Sequence, residues 1–203
     1  MEELKTIKPE IRIAGFGCGP FSLWQKQKEA IIVGAVFRGG DYLDGLISAK
    51  IHIDGLDSTD RLISSINSSK HKGQLRIIML KGITFGGFNI VDIRRLSEKT
   101  GLPVIVVIDH RPNNKKIEAA IRKLEDFEKR HNLIKKAGKI MGIKIEAQGR
   151  KKIIYYQNAG IRSEIAEKII KLTATRSIIP EPLRIADIIS KGLKNVYAQE
   201  FKK

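Results

Sequence analysis

Cysteine is almost absent from these 203 residues: Cys18 stands alone, so no intramolecular disulfide can form and no multi-cysteine metal site can be built. A reducing cytosol is the natural compartment for such a chain. Long apolar runs are missing too. The longest, Val104 to Ile108, is far too short for a bilayer, and Met1 to Glu10 mixes Glu and Lys without the apolar stretch of an export signal. Neither membrane insertion nor secretion is expected. Acidic residues are in short supply, 22 against 38 Lys and Arg, which leaves a formal charge of +16. A field of that sign attracts phosphate backbones and other anions, yet a Lys- and Ile-rich surface that merely solvates a thermophile's protein gives the same balance.

What is present suffices for a packed core. Hydrophobic residues make up 42% and charged residues 30%, and the length suits one domain over 1–203, with 1–10 as a flexible tail. Ile11 to Gly15 reads as a strand that ends in the Gly-rich turn Phe16 to Pro20, and Ala30 to Arg38 as a second strand. Gly39, Gly40 and Asp41 turn the chain so that Tyr42 to Ile53 returns antiparallel, giving a three-stranded meander. Asp57, Ser58 and Asp60 suit a helix start, with Leu62, Ile63 and Ile66 at helical spacing through Asn67. Leu75 to Leu80 is an apolar strand; a glycine-containing turn, a helix from Phe88 to Thr100 and the strand Pro103 to Ile108 follow. So apolar a run belongs to a parallel strand covered on both faces, reached by a right-handed crossover.

From Asn113 the residues Ile117, Ala120, Ile121, Leu124 and Phe127 predict one long amphipathic helix, with Glu118 and Arg122, or Asp126 and Arg130, paired across a turn. Ile143 to Glu146 and Lys152 to Gln157 form a hairpin around Gln148, Gly149 and Arg150, at a sheet edge or in a small subsheet. Two helices close the chain, one capped by Ser163 and running to Ala174, the other Glu181 to Val196, entered through Pro180 and Pro182. The fold class is therefore α/β, a mixed sheet flanked by helices.

Three stretches carry a resemblance: RIAGFGCGPF (Arg12 to Phe21), LRIIMLKGITFGGFNIVDIRRLSEKTGLPVIVV (Leu75 to Val107) and IPEPLRIADII (Ile179 to Ile189). With Gly86, Gly87, Phe88, Asn89 and Pro180, Glu181, Pro182 as their most distinctive parts, they resemble an archaeal family, domain-of-unknown-function family ninety-nine, which is itself distantly similar to endonuclease V. The resemblance implies a ribonuclease-H-like fold, and the order of elements read above agrees with it. It also implies where metal-binding carboxylates would stand. Two divalent cations need several converging oxygen donors. The acid that follows a glycine on the first strand is replaced here in Gly15, Phe16, Gly17, Cys18, and the Asp-Gly that closes a later strand is replaced by Lys81 and Gly82. After the last parallel strand, Ile108, Asp109 and His110 stand in place of a basic residue. Asp187 matches the C-terminal acidic or histidine ligand position, with Asp54, Asp57 or Asp60 as relatives of the remaining acid.

The resemblance thus suggests a nucleic-acid-binding protein, with DNA or RNA as partner, a degenerate metal site and no cofactor. The alternatives are a Mg²⁺- or Mn²⁺-dependent endonuclease using Asp57, Asp109 and Asp187, or an anion- or protein-binding scaffold. Lys81, Gly82, Thr84, Gly87 and Asn89 would meet a phosphate at the turn before the helix, with Arg184 approaching from the last helix. Each residue has a plainer reading as well. Asp187 suits a first-turn helix acid, Arg184 an internal salt bridge, Cys18 a small buried residue rather than a nucleophile, and His110 a solvated loop histidine rather than a proton shuttle. Phe16, Phe21 and Trp24 beside Lys26 and Lys28 suit core packing or base stacking.

Overall fold

The computed structural model describes residues 7–19 and 28–193. A seven-stranded mixed sheet runs through it in the order β3-β2-β1-β4-β7-β9-β8. The meander is β1 (Arg12–Cys18), β2 (Glu29–Arg38) and β3 (Tyr42–His52), all antiparallel neighbours. β4 (Ile77–Lys81) joins β1 in parallel and β7 (Val104–Ile108) joins β4 in parallel. The hairpin β8 (Met141–Ala147) and β9 (Arg150–Ala159) completes the main sheet antiparallel to β7, so it is an edge and not a separate subsheet.

β4 and β7 divide their side chains between two cores with strand periodicity. Ile78, Leu80, Val104 and Val106 enter the core beneath α1 (Ser58–Asn67) and α2 (Ile93–Thr100). Ile77, Met79, Ile105 and Val107 enter the core on the opposite face, beneath α5 (Ser163–Thr173) and α6 (Glu181–Gly192). Ile7, within the expected tail, packs against this second core.

Several expectations require correction. The first strand does not stop at Gly15 but runs to Cys18, because its glycines do not break it; they alternate onto the face where α6 lies. A Cβ on Gly15 would fall 2.5 Å from Pro182 Cβ, one on Gly17 3.3 Å from the Asp187 N, and one on Gly19 2.7 Å from the Ser190 carbonyl oxygen. Three glycines at strand spacing therefore let a helix rest on bare backbone. The chain from Phe88 does not enter a helix at once: Thr84–Phe85 (β5) and Asn89–Ile90 (β6) pair as a small hairpin, and α2 starts at Ile93 with Asp92 capping Arg94 N and Arg95 N.

The long helix beyond Asn113 is two helices, α3 (Asn114–Ile121) and α4 (Phe127–Lys136), broken at Asp126 with φ +58°. Arg130 supplies the reason. Its guanidinium is buried and donates to the carbonyls of Asp54, Gly55, Phe88 and Glu125, which ties α4 to the segments after β3 and before β6. Asp126 consequently pairs with Lys129 at 2.7 Å instead of Arg130, whereas the Glu118–Arg122 pair forms at 2.6 Å. Ser163 is the first residue of α5 and caps nothing; its hydroxyl lies 3.5 Å from Met141 Sδ. α6 is observed to Gly192, and its expected end at Val196 lies outside the described residues.

Gly15→Ala should cost about 1–3 kcal/mol by forcing α6 off the sheet, and Gly17→Ala distinctly less, as read by chemical denaturation. Asp92 gives a pH signature. Burial pushes its carboxyl up, but the Arg95 N–H, the Lys136 ammonium at 2.9 Å and the Arg94 N–H outweigh this and hold it below the usual range. A depressed carboxylate stabilises the fold above its unfolded value and loses that contribution as pH falls through the folded one. The stability gap between wild type and Asp92→Ala should thus be constant above about pH 5 and narrow below about pH 4, in denaturation curves measured across that range.

Candidate functional site

The register Phe16 opposite Leu80 brings Gly17, near the end of β1, beside Lys81, the last residue of β4. α6 lies across both ends. Its Asp187 is two turns into the helix, so the acid of the first turn is Glu181 and the dipole reading of Asp187 fails. Lys81 Nζ contacts Asp187 Oδ1 at 2.8 Å, and Lys191 Nζ contacts Oδ2 at 2.6 Å. Each carboxylate oxygen thus faces its own ammonium. Burial pushes the Asp187 carboxyl up, but the hydrogen bonds from Lys191 and Lys81 and their charge prevail and hold it below the ordinary range. Asp187 is only 18% exposed in its side chain, whereas Lys81 is 39% and Lys191 62% exposed, so the ammonium groups form the accessible part of the cluster.

Gly17, Lys81 and Asp187 therefore meet, with Gly82 (φ +78°) next to them and, among the described residues, no atom within 4 Å of where its Cβ would stand. Lys191 was not anticipated. Its signal was present: it lies four residues after Asp187 on one helix face, the spacing of an acid–base pair.

The remaining residues of the expected phosphate turn are placed differently. Gly87 (φ +86°) wraps around the carboxylate of Asp54, which accepts from Phe88 N at 2.7 Å, so the turn holds an anion belonging to the chain itself. Asn89 is fully buried: its side-chain oxygen accepts from Ser58 N, and its amide donates to His52 O and Asp57 Oδ1. Thr84 is exposed on β5. Arg184 grips Glu181 with two hydrogen bonds of 2.8 and 2.6 Å, in the internal salt bridge that was its plainer reading.

The other acids are likewise claimed locally. Asp57 receives His52 Nδ1 at 2.9 Å and Arg61 Nε at 3.3 Å. Burial raises its carboxyl, but Asn89, His52 and Arg61 together hold it below the usual value. Asp109 pairs with Lys152 at 2.6 Å and lies 3.2 Å from the exposed His110. Among the described residues no three His, Cys, Asp or Glu side chains gather as metal ligands. Cys18 is half-buried against the first core, and burial pushes its thiol up, which disfavours the reactive thiolate. Phe16 is core; Phe21, Trp24 and Lys26 lie outside the described residues. No helix among the described residues is long and apolar enough to cross a membrane.

A family model described as Endonuclease dU matches residues 9–194. A UPF0215 protein of Methanosarcina acetivorans is 49% identical over 187 residues, 92% of each chain. A UPF0215 protein of Pyrococcus furiosus is 47% identical over 191 residues, 94% of this chain and 95% of the relative. Among solved structures, a protein of unknown function from Archaeoglobus fulgidus superposes with a TM-score of 0.79 at 36% identity, over 90% of this chain and 98% of that one. Bacillus subtilis endonuclease V superposes with a TM-score of 0.65 at 13% identity, over 98% and 88% of the two chains. Endonuclease V of Ciona intestinalis, solved with a 24mer DNA containing an inosine followed by a ribo-adenosine, gives 0.60 at 16% identity, over 92% and 87%. At such identities the endonuclease V structures establish a shared ribonuclease-H-like fold. The matched model and the two sequence relatives establish more: this chain is a member of the Endonuclease dU family.

Proposed function

We propose that the protein binds nucleic acid through the cluster at the ends of β1, β4 and α6, and that two-metal hydrolysis is not its activity. The observation that carries this reading is the double claim on Asp187 by Lys81 at 2.8 Å and Lys191 at 2.6 Å. Two divalent cations about 4 Å apart must be neutralised by several convergent oxygens. Gly17 contributes no side chain, Lys81 contributes a positive charge, and Asp187 has no oxygen free of an ammonium. The donor set does not fit such a pair.

It does fit a phosphodiester. An ammonium has three donors, and each lysine uses one on Asp187, which leaves donors for phosphate oxygens on two partly exposed groups. Asp187 keeps the two ammonium groups near each other, and the cluster carries one net positive charge. The +16 charge of the chain supplies long-range attraction in support.

Labelled single- and double-stranded DNA and RNA, titrated by fluorescence anisotropy, test the reading. With the two lysine–phosphate contacts, affinity should fall roughly twelvefold between about 50 and 200 mM salt. Lys81→Ala should weaken binding, while Asp187→Asn, which removes the competing anion, should tighten it several-fold. Deoxyuridine- or inosine-containing strands incubated with Mg²⁺ or Mn²⁺ should remain intact. No detectable binding at low salt, or incision that Asp187→Asn abolishes, would overturn the proposal.

A further inference from the structure

A second cationic site lies elsewhere on the molecule. The tip of the β8–β9 hairpin and the segment leading into α6 border an open cavity of about 750 Å³, and neither Lys81, Asp187 nor Lys191 lines it. Both walls are pinned. Gln148, at the hairpin tip with φ +51°, donates to the Thr175 carbonyl at 3.3 Å, and Ser177 Oγ donates to Ile179 O at 2.7 Å. Lys152 ties the hairpin to Asp109 at the end of β7. These contacts fix the hairpin tip and the segment before α6 relative to each other.

Its lining combines two chemistries. Arg150 and Arg176 are exposed and lack any carboxylate or carbonyl partner among the described residues, unlike Arg12, Arg38, Arg95, Arg122 and Arg184, each of which grips a carboxylate. Two planar donor forks left unpaired at one cavity suit a phosphate, which guanidinium binds bidentately. Ala147, Ile178 and Ile179 add apolar surface to the same lining. The volume falls in the range of small-molecule sites, so a lone phosphate would leave most of it to water.

We propose that this cavity binds a nucleoside phosphate, with the phosphate on Arg150 and Arg176 and the heterocycle against Ile178 and Ile179. Asp109, already countered by Lys152 at 2.6 Å, offers an acceptor to a sugar hydroxyl. The same chemistry is presented by a free nucleotide and by the terminal nucleotide of a strand, and the test separates the two.

Isothermal titration of the full chain with adenosine and uridine 5′-monophosphates, adenosine, and inorganic phosphate is the primary measurement. At least one monophosphate should bind one-to-one, about tenfold or more tighter than adenosine or inorganic phosphate. Arg150→Ala combined with Arg176→Ala should weaken it about tenfold or more, the loss of roughly one charged bidentate contact. Both side chains are exposed, and the single Arg176→Glu variant repeats the test should the double variant fold poorly. Competition by a 5′-phosphorylated oligonucleotide but not its 5′-hydroxyl form would assign the site to strand ends; no competition by either would assign it to free nucleotides. Lys81→Ala should leave monophosphate binding unchanged, so this site can fail or succeed independently of the cluster around Asp187. The proposal falls if neither monophosphate binds, if inorganic phosphate binds as tightly, or if the arginine variants bind like wild type.

Discussion

The close approach of α6 to β1 is the constraint on which the rest of the arrangement depends. A helix packed on a sheet is normally held off by side chains from both surfaces, and here one set is missing: Gly15, Gly17 and Gly19 present bare backbone to Pro182, Asp187 and Ser190. That approach allows the carboxylate of Asp187 to reach the lysine at the end of the neighbouring β4. The helix is also anchored at its start, where the buried Glu181 holds Arg184 and Pro182 seats against Gly15. A shift of about one ångström in α6 would separate Asp187 from Lys81, so packing and electrostatics are set by the same three glycines.

A shortage of acids shapes the rest. With so large an excess of Lys and Arg, several carboxylates that are not fully exposed are countered by cations: Asp44 by Arg12 and Arg38, Asp92 by Lys136, Asp187 by Lys81 and Lys191. Repulsion among acids, which a metal ordinarily relieves, does not arise in these clusters. The surplus appears instead as cations without acids. Arg150 and Arg176, exposed and without a carboxylate partner among the described residues, belong to that surplus.

The sheet was legible in the sequence because strand signals are local. β2, β3, β4 and β7 have period-two or wholly apolar patterns, and their order follows from turn chemistry and the handedness of crossovers. The errors share one cause, a distant partner that overrides a local preference. Glycines that suggest a turn in isolation are a docking face once α6 is present. Arg130, spaced for a surface pair with Asp126, is instead buried by carbonyls that lie some 40 to 76 residues away in sequence, beside the break between α3 and α4. Asn89 looked like a ligand because it follows glycines, whereas its amide is spent joining His52, Asp57 and Ser58. At the site, Lys81 and Asp187 could be named from the family resemblance but not from spacing, since they are 106 positions apart and meet only through the sheet.

On the proposed reading, the cluster around Asp187 also bears on how a fold of this kind can hold together without bound metal ions. A cage of carboxylates is costly when empty, because like charges at close range in a partly buried site repel. On the same reading, a lysine in one position and a glycine in another remove that cost at two points. The remaining acid is then stabilised by covalently attached cations whose presence does not depend on metal supply. In the proposed reading, the phosphate-facing charge survives in the ammonium groups, while the capacity to polarise a water and a phosphorus centre together is lost. A strand bound there would meet fixed positive charge without an activated nucleophile, and this is the physical difference between holding a phosphodiester and cutting it.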